Sequence, residues 1–266
     1  MRNKIKKFLL IVVFLQTITS NLFSQTAETK KYSPQLMNIQ DVIEGKSFDK
    51  ILWQIVASDD DKYKPIKAEG VMTYINTYLS KNPTENKRTG EIKEFNLIKK
   101  YSKNFDSTFD DFRILPSGDR GNFVFTKEWS NPIHFGLYND TALSLLISGL
   151  YIDKVYNAIK LTSRQRATKV VMTYILPQLI VFLHEFKTNE IKYFGMTCVY
   201  GCKDFGDESP NATKGEFVGF IAPKRLISKY VLHTITEDEF INAADIYISD
   251  RDMGIAEIKK IKIVLE

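Results

Sequence analysis

The sequence predicts an α+β fold, with a helical hairpin and short helices packed on a largely antiparallel sheet. Three observations carry that expectation. Apolar residues recur at helical spacing in several segments, most clearly between residues 140 and 187. Runs rich in β-branched and aromatic residues, separated by turn-forming residues, fill the last third of the chain. The regular strand–helix alternation of a doubly wound parallel sheet is missing.

The N-terminal segment has the layout of a secretory signal. Met1 to Lys7 is basic and carries no acid, Phe8 to Leu15 is an unbroken apolar run, and the small residue Ser24 offers a cleavage point. A transmembrane span needs about 20 apolar residues, and this run is much shorter. Residues 1–24 are therefore expected to be a cleaved signal peptide, 25–32 a flexible leader, and 33–266 one α+β domain that is periplasmic or extracellular. The signal also accounts for the charge. The chain holds 37 basic and 32 acidic residues, a net +5, and Arg2, Lys4, Lys6 and Lys7 all lie in the part removed. The remainder is close to neutral, which argues against nucleic acid as a partner. At 44% hydrophobic and 26% charged residues, the composition is that of a globular protein rather than a disordered one.

The elements follow in order. Ser33-Pro34 reads as a helix start before Leu36, Ile39 and Ile43, with Gly45 as its stop. Phe48, Ile51, Leu52, Ile55 and Val56 fill one face of a second helix, halted by Asp59-Asp60-Asp61. Residues 66–104 fit both a strand and a helix around Val71, Ile75 and Leu79, and 80–91 reads as a loop. Phe112 to Trp129 reads as a hairpin turning at Ser117 to Gly121.

Leu143, Leu146, Ile147, Leu150, Tyr151, Val155 and Ile159 predict a helix capped by Asn139 or Asp140. Thr162 to Gln165 is a capping box for the second arm, which Pro177 should kink. That arm is too short and too polar at its end for a membrane span, so no span is expected after signal cleavage. Glu190 to Phe205 and Gly215 to Ala222 read as strands. Thr236 to Glu239 caps a helix through Phe240, Ile241, Ala244 and Ile248, and the tail around Lys260 to Ile263 reads as an edge strand.

Chemistry-bearing residues are few. Cys198 and Cys202 are the only cysteines. A disulfide between them is possible only if Val199-Tyr200-Gly201 turns, because residues four apart on a strand stand about 13 Å apart and a bridge needs about 7 Å or less. The alternative is two half-buried thiols. His184-Glu185 begins like a zinc-protease helix, but Thr188 stands where the second histidine is needed. Ser47-Phe48-Asp49-Lys50 and Arg88-Thr89-Gly90 match β-lactamase motifs at the wrong separation. Asp59 to Asp61 lacks the spacing of a calcium loop, and Asn211-Ala212-Thr213 fits a glycosylation acceptor. No glycine-rich phosphate loop occurs, so no cofactor and no metal is expected.

The reading that follows is an exported, non-catalytic protein that binds another protein or a small ligand. The alternative is an exported hydrolase with a dispersed site, for which His134, Asp140, His184 and Glu185 are the candidates.

Overall fold

Three partners along one strand organise the sheet. In the computed structural model, which describes residues 36–44, 66–80, 89–111, 121–123, 132–209, 213–249 and 258–261, strand β4 (Ala142–Asn157) runs through the centre. On one side it pairs in parallel with β5 (Tyr193–Lys203). Along its other edge it pairs first with β3 (Ile133–Tyr138) and then with β2 (Gly121–Phe123), both antiparallel. Beyond β2 lies β1 (Ile66–Lys67). Beyond β5 come β6 (Lys214–Pro223), β7 (Asp245–Ser249) and the edge strand β8 (Ile258–Ile261), each antiparallel to its neighbour. The chain is α+β, with a mixed and mostly antiparallel sheet.

Residues 142–157 are strand, not helix. The stripe from Leu143 to Tyr151 belongs to a nearly continuous apolar run, and Ser144 to Leu150 is buried throughout. A central strand covered on both faces needs no alternation, so helical spacing appears in it without a helix. Asn139 and Asp140 are not a helix cap. At φ 51° and 59° they form the tight turn joining β3 to β4, a conformation that Asn and Asp tolerate well. Strand β2 pairs with β1 and β4, and the rest of the expected 112–129 hairpin lies outside the described residues.

The described residues between 68 and 111 are mostly helical. Helix α2 (Ala68–Ser80) and α3 (Thr89–Lys100) are followed by α4 (Ser102–Asp111), and α3 begins inside the span expected as loop. Helix α1 (Ile39–Ile43) starts at Asn38, whose side chain accepts the Gln40 amide at 2.9 Å. The expected cap at Ser33, the helix around 48–56, the leader, the signal segment and Asn211 lie outside the described residues.

The long helical arm forms as expected, with a variation at Pro177. Thr162 and Gln165 make a full capping box before α5 (Ser163–Val170). A π-helical turn, Val171–Ile175, then leads into α6 (Leu176–Glu185). Pro177 offers no N–H to the preceding turn, and the wider turn accommodates its ring. By length and composition Ser163–Glu185 could cross a bilayer. Here Val170, Val171, Ile175, Leu179 and Phe182 are buried in the main core, under the sheet face that also carries Phe194, Met196 and Phe220. Helices α7 (Lys224–Val231) and α8 (Glu237–Ala243) complete the chain order, α8 with the expected capping box. Ile248 falls in β7 rather than in that helix.

A buried ion pair ties α5 to the sheet. Arg166 donates from Nε and Nη2 to both Glu216 oxygens, at 2.7 and 2.6 Å, and also bonds the Ser163 hydroxyl and the Leu161 carbonyl. Both charges are fully enclosed, so each depends on the other.

The opposite face of the sheet curls around α1. Tyr138 on β3 donates to Asp245 on β7, although four inter-strand steps of about 4.8 Å would separate them by about 19 Å in a flat sheet. Burial raises the Tyr138 phenol, with the Asp245 contact adding to it, and pushes Tyr247 up to about 12. Helix α1 seats on glycines. A Cβ on Gly136 would stand 2.6 Å from the Met37 carbonyl oxygen and 2.7 Å from Ile39, and one on Gly219 would meet Ile43 at 2.9 Å.

Two outcomes are expected in urea unfolding. Arg166→Met leaves Glu216 buried and unpaired and lowers stability by about 3–5 kcal/mol. Gly136→Ala overpacks the α1 seat and costs about 1–3 kcal/mol, whereas Gly206→Ala, in an exposed turn with only ordinary contacts around it, is close to neutral.

Candidate functional site

The change of partner along β4 creates an irregular point. Ile147 is opposite Met196 and Leu150 is opposite Cys198, so Ser148 and Gly149 together face the single residue Thr197. Bulges are rare in parallel pairs and concentrate beside active sites. Gly149 takes φ 82°, a conformation that side-chain-bearing residues resist. Three hydrogen bonds fix the bulge. The Ser148 amide donates to the Pro132 carbonyl at 2.7 Å, the Gly149 amide donates to Thr197 Oγ1 at 3.0 Å, and Ser148 Oγ meets His134 Nε2 at 3.1 Å.

His134 completes a line of three groups. Its Nδ1 faces Glu94 Oε1 at 3.4 Å, while its Nε2 faces the Ser148 hydroxyl. This is the order a serine nucleophile requires: hydroxyl on one ring nitrogen, carboxylate on the other. The 3.4 Å contact is longer than a formed N–H···O bond, and Nδ1 has no other partner among the described residues. Catalytic hydrogen bonds are often long in the unliganded state and tighten around substrate. Glu94 is also held in place, because its Oε1 accepts the Phe135 amide on the side of β3 away from β4 at 3.2 Å. Its charge contributes, after burial, to pushing the nearby Tyr78 phenol up to about 12.

The site is almost closed. Ser148 is 2% exposed and Glu94 6%, and the side chain of His134 is 17% exposed. Among the described residues no group of three or more His, Cys, Asp or Glu side chains could hold a metal ion.

The four residues singled out from sequence do not converge. Asp140 lies at the exposed turn beyond Tyr138, past the far end of β3, which itself runs about 13 Å on from His134. There it accepts a 3.4 Å hydrogen bond from Asn38. His184 and Glu185 touch each other at 3.0 Å on the surface end of α6, where the His184 side chain is 75% exposed. His134 alone has partners buried with it, and no sequence pattern singles out Glu94 or Ser148. Glu94 follows the pattern of a solvated helix acid, and Ser148 lies inside an apolar run. The pairing that joins them to His134 spans three elements, so local spacing carries no trace of it. The Ile147-Ser148-Gly149 step was the one available signal, since an isolated glycine in a strand marks a bulge.

Cys198 and Cys202 are not bridged. Both lie on the regular strand β5, paired across from Val218 and Lys214, so the turn that a bridge needs does not form. Burial pushes the Cys198 thiol well up, which leaves it unreactive.

No protein-family model matches the chain, and no curated protein or solved structure shows significant similarity to it. The surface pair and the buried line separate in one comparison. His184→Ala leaves stability unchanged in thermal unfolding, whereas Glu94→Ala lowers it by about 1–3 kcal/mol, because the Phe135 amide loses its acceptor.

Proposed function

We propose that this protein is an exported hydrolase that cleaves small acyl esters, with Ser148 as nucleophile, His134 as general base and Glu94 as the carboxylate that orients it. One observation carries the reading: a single imidazole lies between the Ser148 hydroxyl at Nε2 and the Glu94 carboxylate at Nδ1. Export rests on the N-terminal sequence pattern alone.

The chemistry follows from that order. Glu94 favours the tautomer with its proton on Nδ1, which leaves the Nε2 lone pair free to accept. Ser148 Oγ attacks the substrate carbonyl carbon as its proton passes to Nε2, and the carbonyl π electrons move to oxygen. The tetrahedral intermediate collapses to an acyl-serine. His134 returns the proton to the departing alcohol, and water then repeats the sequence to release the acid. The near closure of the site favours short acyl chains.

A second reading keeps the protein non-catalytic, as a binder of another protein or a small ligand. It is favoured by the 2% exposure of Ser148 and by an apolar surface elsewhere: Ile159 is 74% exposed and Phe205 55%, at the same end of β4 and β5. On that reading the buried line is only a polar tie between α3 and the sheet.

Incubation with a small fluorophosphonate, followed by intact-mass and peptide analysis, separates the two. The hydrolase reading expects one adduct on Ser148, lost in Ser148→Ala and His134→Ala and kept in His184→Ala. A folded wild-type protein that takes up no label at Ser148 contradicts it.

A further inference from the structure

We propose that Thr197 supplies the hydrogen bond that stabilises the oxyanion formed when Ser148 attacks. The inference rests on the hydrolase reading above and adds a residue that the three-group line does not contain. Thr197 is the one β5 residue set against both halves of the bulge, Ser148 and Gly149. Its hydroxyl oxygen accepts the Gly149 amide at 3.0 Å, so its own hydrogen is left to donate elsewhere. The side chain is buried, and the Gly149 amide is the hydroxyl's one hydrogen-bond partner among the described residues. A buried hydroxyl with an open donor is an unusual expense in a core, and it calls for a partner.

The bulge brings this donor close to the reacting atom. Gly149 directly follows Ser148, and covalent geometry keeps Ser148 Oγ within about 5 Å of the Gly149 nitrogen. An oxygen on the carbon bonded to Ser148 Oγ is then within range of a hydroxyl held on that same nitrogen. The residue after a serine nucleophile commonly supplies an oxyanion donor through its own amide. Here that amide is already engaged, and it polarises the Thr197 hydroxyl. A donated hydrogen bond strengthens the hydroxyl as a donor in turn. The amide thus acts through Thr197 rather than directly. No extra reactant is needed, since the hydroxyl keeps its proton and only shares it with the oxyanion.

The test compares rates of Ser148 phosphonylation by the same fluorophosphonate in wild type, Thr197→Val and Thr197→Ser, with thermal unfolding as the fold control. Phosphonylation builds charge on the phosphoryl oxygen, where an acyl substrate builds it on its carbonyl oxygen. Valine keeps the shape without the hydroxyl and is expected to slow labelling by about 100-fold. Serine restores the hydroxyl and is expected to restore the rate. The role of Thr197 is overturned if the valine variant labels at the wild-type rate, or if the serine variant is as slow as valine. In either case wild-type labelling at Ser148 still stands for the three-group site. If wild type itself does not label, the hydrolase reading falls and this inference falls with it.

Discussion

Strand β4 has to serve two antiparallel partners along a single edge, and the rest of the structure depends on how it does so. From Ala142 to Ile147 that edge belongs to β3, and from Leu150 to Ile152 to β2. The other edge pairs with one strand, β5, throughout. Two strands cannot meet end to end beside a third without leaving a gap. The extra residue at Ser148-Gly149 is placed at that gap, where β3 begins and where the Pro132 carbonyl takes the Ser148 amide. The bulge turns a hydroxyl out of the ladder toward His134, the second residue of β3. The polar line is therefore a product of the sheet's topology rather than of a local motif.

The two faces of the sheet divide the work. One carries the long helix from Ser163 to Glu185 and most of the apolar core. The Arg166–Glu216 pair, which is fully hydrogen-bonded, locks that helix to β6. The other face has a smaller core and curls over α1, with Gly136 and Gly219 allowing the close approach. On the side of β3 away from β4, the Met37 carbonyl takes the Leu137 amide and Glu94 on α3 takes the Phe135 amide, which limits pairing with another strand there. The same carboxylate faces His134, so one side chain both caps a strand amide and approaches the imidazole.

The sequence was legible where the physics is local. The capping boxes at Thr162 and Thr236, the strands around 193–203 and 214–223 and the edge strand near Lys260 need only neighbouring residues to be recognised. It misled where burial is set by the whole fold. The 142–152 run has helical spacing because a strand covered on both sides can be apolar at every position. Asn139-Asp140 suits a helix start as well as a tight turn, and only the partner strand decides between them. The site was legible at one residue, His134. Its companions come from a helix and from a strand interior, and their meeting is a long-range consequence that single-sequence spacing does not encode.

The most direct measurement is the tautomer of His134, read from the two imidazole nitrogens by 15N–1H correlation at neutral pH. A proton is expected on Nδ1, facing Glu94, with a bare Nε2 that accepts from Ser148. A proton on Nε2 in the neutral ring would make His134 a donor to the serine, leave it no lone pair with which to take the serine proton, and contradict a role for His134 as general base.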